Sequence, residues 1–459
     1  MTSPATTLPP RETKSLLDRL AETNTAYSRV YPGEPIGRQP VHTVYGGAHI
    51  FRRDSARRLG DLALASLKDY APDAATFAKA VGATWPEPLS REIYRRTTDK
   101  LNREPVEDFR IDFEDGYGIR PEAEEDACAA SAAAEVAAGM AENSLPPYIG
   151  IRIKNFGPGT VERGVRTMDI FLTALSKHTG GKLPDNFVVM LPKLVSAQQV
   201  TTMVEVFELF ESKGLFPKGS LKMEFMVETT QSVIDTRGVC PLADFVRAAK
   251  GRCIAGALGV YDYTASIGVT AQEQKIDHRG CDFARHVMQV ALGATGLWLS
   301  DGATNIMPAA PHKAPEGGSL TPRQAEENRQ AVHAAWKLNF WNVRRSLAHG
   351  WYQGWDLNPA QLPVRYAAMY SYFLEYLPEA THRLRNFVDK AARATLVGGA
   401  AGGVFDDAAT AQGLLTFFIQ GLRRRAITEQ EAGATGLTSD EIATRSFAAI
   451  LARRASHVR

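Results

Sequence analysis

Short apolar or β-branched runs alternate along the chain with longer stretches whose apolar residues recur at helical spacing. The runs Val41–Tyr45, Phe109–Phe113, Tyr148–Ile153, Phe187–Leu191, Lys222–Val227, Cys253–Val260, Gly296–Leu299 and, more weakly, Gly350–Leu357 predict strands. Between them Pro121–Ala141, Ala197–Ser212 and Ala325–Ala348 predict helices. Pro121 suits a first helical position, and Glu122, Glu124, Glu125 and Asp126 suit the positive end that follows. Eight such alternations predict an α/β fold, a parallel (β/α)8 TIM barrel, with a doubly wound sheet left open by pattern alone. A barrel takes about 250 residues or more, and residues 42–365 accommodate one.

Residues 1–41 are polar and Pro-punctuated, with one helical stretch near Lys14–Glu22, and predict an N-terminal arm or lid. Residues 366–459 predict a C-terminal helical extension, in which Thr438 and Glu441 spell a capping box and Leu437 and Ile442 its staple. The run Gln412–Gln420 carries Leu414, Leu415, Phe417, Phe418 and Ile419, and Arg423, Arg424 and Arg425 close it as complements to a helix C-terminus, with ligand binding as the alternative. So apolar a face needs cover, which points to a homo-oligomer. Packing on the chain's own barrel is the alternative.

The chain has 459 residues, 44% of them hydrophobic, enough for a large core. Lys and Arg number 53 and Asp and Glu 51, so no basic field points to nucleic acid, and an acidic substrate would need local arginines. Cys128, Cys240, Cys253 and Cys281 show no metal-ligand spacing and predict reduced thiols in a cytoplasmic protein. Met1 to Arg11 has no apolar core, so no secretory signal is expected. No apolar stretch approaches the ~18 residues that would span a bilayer.

Charged residues stand at the ends of the central runs. Asp112, Glu114 and Asp115 follow Ile111, and they cannot all be buried and ionised without a metal, an arginine or water. A solvated turn bent by Gly116 and Gly118 is the plainer reading. Arg152 interrupts Ile149–Ile153, where it would hold a carboxylate or an enolate oxygen, or pair structurally with an acidic neighbour. Lys193 follows Leu191-Pro192, Glu228 follows Val227, and Asp262 follows Gly259-Val260-Tyr261. Two hard carboxylates at consecutive strand ends, with room for water, suit Mg²⁺ or Mn²⁺. The stretch Val397–Gly403 lacks phosphate-loop spacing and predicts a hinge.

As an ordered set these residues resemble the HpcH/HpaI aldolase, citrate lyase β-subunit and malyl-coenzyme A lyase superfamily. The motifs are Asp112-Phe113-Glu114-Asp115, Arg152-Ile153-Lys154-Asn155, Leu191-Pro192-Lys193, Val227-Glu228-Thr229 and Gly259-Val260-Tyr261-Asp262-Tyr263-Thr264-Ala265-Ser266-Ile267-Gly268. Asn358-Pro359-Ala360-Gln361 echoes the family's His-Pro-x-Gln, with Asn at the His position. The resemblance spans roughly residues 42–365.

It implies a divalent-metal-dependent carbon–carbon lyase working through a metal-bound enolate of a 2-oxo acid. Glu228 and Asp262 would be the Mg²⁺ (or Mn²⁺) ligands. Arg152, Asp115 and Asp112 would be catalytic, and Arg152, Lys193 and Glu114 would bind substrate. Asp115 stands where the aldolase branch carries a His, which favours the citrate/malyl-lyase side. The substrate would be a small 2-oxo or hydroxy acid, with a coenzyme A thioester as one option. Gly403–Ala408 loosely resembles a C-terminal segment that brings a catalytic Asp, here Asp406 or Asp407. A longer Glu228-to-Asp262 spacing, a long C-terminus and Lys154 ahead of Asn155 depart from the pattern. Two other readings stand beside this one. The first is a class II pyruvate aldolase without thioester, with His49 replacing the missing His. The second is a non-catalytic binding protein on the same barrel.

Overall fold

The structure, a computed structural model, describes residues 7–8, 10–34, 37–389, 395–399, 402–406 and 408–457. Strands β1 (His42–Gly47), β2 (Asp108–Asp112), β3 (Tyr148–Arg152), β4 (Phe187–Leu191), β5 (Lys222–Val227), β6 (Cys253–Leu258), β7 (Trp298–Ala303) and β8 (Gln353–Asp356) close in that order into one parallel barrel. β8 pairs back onto β1, so the doubly wound alternative falls away. β3 and β4 read as continuous apolar runs because helices cover one face and the barrel interior the other. β2 alternates instead. Phe109 and Ile111 join the main hydrophobic core, while Asp108 and Arg110 meet Glu224 of β5 in a buried ion group. Above it Tyr45 packs on a small apolar cluster of Met190, Met226 and Ala257.

Several boundaries differ from the sequence expectation. β6 stops at Leu258, and Asp262 lies in the first turn of the helix Val260–Ser266, not on a strand end. β7 runs on through Ser300-Asp301-Gly302-Ala303, a stretch too polar to read as strand. Asp301 can be buried because Arg285 and Ser346 bond its two oxygens, at 2.9 and 2.6 Å. Pro121 caps the helix Glu122–Glu142 from just outside it. The helix Ala197–Ser212 has the expected ends, closed by a Ser196/Gln199 capping box. The N-terminal helix runs from Pro10 to Val30 and is solvent-exposed almost throughout. The stretch expected as a hinge pairs as an antiparallel hairpin, Thr395–Gly399 with Gly402–Asp406.

The helix Leu362–Asp389 starts just after β8 and crosses the expected boundary at 365. It carries the barrel's hydrophobic core into the C-terminal helices, so Ile111, Phe373, Leu415, Phe418 and Ile450 belong to one cluster. Leu414, Leu415, Phe418 and Ile419 of the helix Ala408–Arg423 are buried inside the chain, and Phe417 packs against the same core. The apolar face that suggested a second copy is therefore already covered, and it gives no reason to expect an oligomer. The Thr438/Glu441 capping box forms as read. Among the described residues no helix is long and apolar enough to cross a membrane.

Candidate active site

Register decides the first contact of the site. β2 and β3 pair with Asp112 opposite Arg152 at their C-terminal ends. Asp112 accepts Arg152 Nε at 2.7 Å and Nη2 at 2.5 Å. It also accepts the backbone N–H groups of Glu114 at 2.9 Å and Gly116 at 2.7 Å. A Cβ at Gly116 would stand 2.5 Å from Asp112 Oδ2, so only glycine lets the turn come this close. With four donors on its two oxygens, Asp112 positions Arg152. It holds no oxygen free for a substrate.

Arg152 is 2% exposed and lies between Asp112 and two aromatic faces, Tyr45 at 4.9 Å and Trp355 at 5.8 Å. Its remaining nitrogen, Nη1, makes only long contacts, 3.5 Å to Asp115 and 3.7 Å to Glu114. Burial alone would depress the guanidinium, but Asp112 and Glu114 outweigh it and raise the value. The two rings were not singled out from the sequence. The available signal was one aromatic on each of the strands β1 and β8, Tyr45 and Trp355, within the barrel.

Lys193 joins the other side. Its backbone adopts the left-handed region, with φ +50°, an uncommon place for a side-chain-bearing residue. In that conformation its N–H donates to Glu228 Oε1 at 2.7 Å. Its ammonium lies 3.1 Å from Glu114 and 3.2 Å from both Asp115 and Asp262. Burial opposes the charge on Lys193, yet the surrounding carboxylates raise its affinity for a proton.

Glu228 is 2% exposed, and burial, with Asp262 and Glu114 nearby, pushes its carboxyl up to about 8 against the pull of Lys193 and Arg152. A Cβ at Gly259 would fall 2.3 Å from Glu228 Oε2, so the glycine before the next helix makes room for this carboxylate. Burial likewise raises Glu114, whose Oε2 is buried with no hydrogen-bond partner. Asp115 and Asp262 are the open members, with side chains 55% and 41% exposed.

All seven residues singled out from the sequence thus meet at the C-terminal mouth of one barrel. Five carboxylates face two cations there, and the most buried of the five after Asp112 lacks full compensation. Excess negative charge on hard oxygen donors, with the buried Glu114 Oε2 making no hydrogen bond, fits a divalent cation. Among the described residues no three His, Cys, Asp or Glu side chains converge enough to hold a metal ion by themselves.

His49, Lys154, Asn358 and Gln361 fall outside the cluster. His49 is exposed, meets the Tyr117 ring edge-on at 5.7 Å, and has Arg120 and Glu124 as its charged neighbours. Lys154 donates to Phe113 O and Glu125, each bond under 2.9 Å, and anchors a helix to the strand end. Asn358 and Gln361 form a capping box over the turn after β8, with Gln361 also bonding Thr304 O. Asp406 ends the hairpin. Its side chain, and Asp407 altogether, lie outside the described residues.

A family model described as a domain of unknown function, DUF6986, matches residues 20–450. The chain belongs to the DUF6986 family. No curated protein matches it. Among solved structures, a citrate lyase from Burkholderia xenovorans LB400 is similar, with a TM-score of 0.56 at 15% identity over 88% of this chain and 97% of that one. The Mycobacterium tuberculosis protein CitE, in complex with magnesium, acetoacetate and coenzyme A, gives 0.44 at 17% identity over 83% and 98%. Haloferax volcanii malate synthase at 3 mM glyoxylate gives 0.45 at 13% identity over 90% and 98%. At such identities what the DUF6986 chain shares with the citrate lyase is its barrel. The last two superpositions are too loose to bear on the site.

Proposed function

We propose that this DUF6986 protein is a Mg²⁺- or Mn²⁺-dependent carbon–carbon lyase that makes or breaks a bond beside a 2-oxo acid through an enolate, of the citrate/malyl-lyase kind. The observation that carries this reading is the meeting of Arg152, Lys193, Glu114 and Asp115 with Glu228 and Asp262 at one barrel mouth. Glu228 and Asp262 are the residues that would hold the cation, which supplies Lewis-acid polarisation of the 2-oxo group when bound.

Arg152 is fixed on three sides before any substrate arrives, so its Nη1 is a preorganised donor for the oxygen on which negative charge develops. Lys193 offers its ammonium to an acid's carboxylate while holding Glu114 and Asp115 in place. Glu114 Oε2, which makes no hydrogen bond and lies 3.7 Å from Arg152 Nη1, accepts from a substrate hydroxyl. Asp115, half-exposed at the mouth and paired with Lys193, is the carboxylate placed to take or return a proton at its Oδ atoms. An apolar cavity of about 290 Å³ between Tyr45, Phe51, Phe109 and Leu357, with Arg58 at its edge, gives a thioester's arm a place to lie.

The test is cleavage of hydroxy acids and their coenzyme A thioesters before and after chelation. Loss of activity restored by Mg²⁺ or Mn²⁺ is expected, and activity undiminished by exhaustive chelation would overturn the proposal. Exchange of pyruvate protons into D₂O, indifferent to coenzyme A esters, would move the assignment to a class II pyruvate aldolase.

A further inference from the structure

The opposite end of the barrel holds a second polar feature. Just before β1, at the start of β7 and just before β8, a cavity of about 300 Å³ opens under the C-terminal helix Ala408–Arg423. Its wall includes Gln39, Leu297, Leu299 and Tyr352, and Gln420 and Arg424 close it. Arg424 is 2% exposed. Its guanidinium bonds the amide oxygens of Gln39 and Gln420, lies 4.4 Å over the Tyr352 ring, and leaves Nε buried without a partner.

What Arg424 lacks is an anion. The other deeply buried cations have one: Arg110 meets Asp108 and Glu224, Arg152 meets Asp112, Arg252 meets Glu211, Arg285 meets Asp301, and Arg365 meets Asp356. Among the described residues no carboxylate lies within salt-bridge distance of Arg424, while neighbouring Arg423 takes the nearby Glu34 at 3.3 Å. Burial, and then the charge of Arg423, pulls Arg424 down to about 9. Glu34, which also lines the cavity, and Glu107 favour the charge on Arg424 only from beyond salt-bridge distance. A buried cation with no contacting counter-charge is costly, and the cavity beside Arg424 has room for one.

We propose that this cavity binds a small monocarboxylate with a short apolar body, held by the Arg424 guanidinium. Gln39 and Gln420 are neutral acceptors in the place of a carboxylate, and either amide can yield it. A single arginine matches one negative charge better than the two of a phosphate, because Arg423 is turned to Glu34 and Gly37. Leu297, Leu299 and the Tyr352 ring give the ligand's body an apolar wall. Gln39 also bonds Gln353, which bonds Thr43, which bonds Asp108, so the displaced amide is tied into the barrel interior. This site is separate from the proposed lyase site, and neither depends on the other.

The experiment is calorimetric titration of the full chain in chelator with butyrate, butyramide and inorganic phosphate. Butyrate is expected to bind, and butyramide and phosphate to bind at least tenfold more weakly. Arg424→Gln, and Thr416→Trp at a position in the cavity wall, which fills the cavity while keeping the arginine, should each abolish butyrate binding, and Arg152→Lys should leave it unchanged. If Arg424→Gln does not fold, Thr416→Trp decides. No butyrate binding by the wild type, binding that survives Thr416→Trp or is lost in Arg152→Lys, or tighter binding of phosphate or butyramide would each overturn the proposal.

Discussion

Asp112 grips Arg152 side-on, Nε to one oxygen at 2.7 Å and Nη2 to the other at 2.5 Å, across paired positions of adjacent strands. A planar fork fits this arrangement and an ammonium does not. The pair is buried, so it fixes the guanidinium's direction as well as its charge.

Arg152→Lys is therefore expected to lower kcat by roughly 10²–10³, the scale of losing one oxyanion donor. Mg²⁺ affinity should barely move, since Arg152 is not a proposed ligand. Steady-state kinetics beside metal calorimetry separates the two effects. Asp112→Asn should act in the same direction, by freeing the guanidinium to rotate.

Glu228→Gln and Asp262→Asn should instead weaken Mg²⁺ or Mn²⁺ binding outright, by roughly 100-fold, the upper end of what even outer-shell changes cost. Calorimetry on folded variants reads this directly. Unchanged metal affinity in both would remove these residues from the ligand set.

Acid should unfold the protein partly through two buried carboxylates. Burial alone would raise Glu107 and Asp356. Lys100 and Arg38 around Glu107, and Arg365 and His42 around Asp356, pull each down to about 2. A carboxylate lowered in the folded state stabilises fully above its unfolded value and loses that contribution as pH falls through the folded one. For Glu107, between its ordinary 4.5 and about 2, the loss is on the order of 3 kcal/mol. Urea midpoints should fall steeply from pH 4.5 to 2.5 in the wild type and more shallowly in Glu107→Gln.

Leu415 is fully buried in the core shared by the barrel and the C-terminal helices. Leu415→Ala should cost about 2–5 kcal/mol in denaturant unfolding. The mass by light scattering should not change, because the side chain packs within its own chain. A change of mass at unchanged stability would restore the oligomer argument.

The chain's periodicity determined eight short strands alternating with helical stretches, and it left a doubly wound sheet beside the barrel. Closure of β8 onto β1 decided between them. Charged residues interrupting those runs also marked the mouth, because Asp112, Arg152, Lys193 and Glu228 have no ordinary place in a core. Which of them touch was left to the tertiary structure. The β2–β3 register gives Arg152 to Asp112, the left-handed turn at Lys193 brings Glu228 onto a backbone N–H, and closure of β8 onto β1 puts Tyr45 and Trp355 against the guanidinium. The polar end of β7 and the unpaired Arg424 were out of reach of a sequence reading for the same reason. Whether a buried charge is satisfied depends on partners far along the chain, such as Asp301 with Ser346 or Arg424 with Gln39, and only packing brings them together.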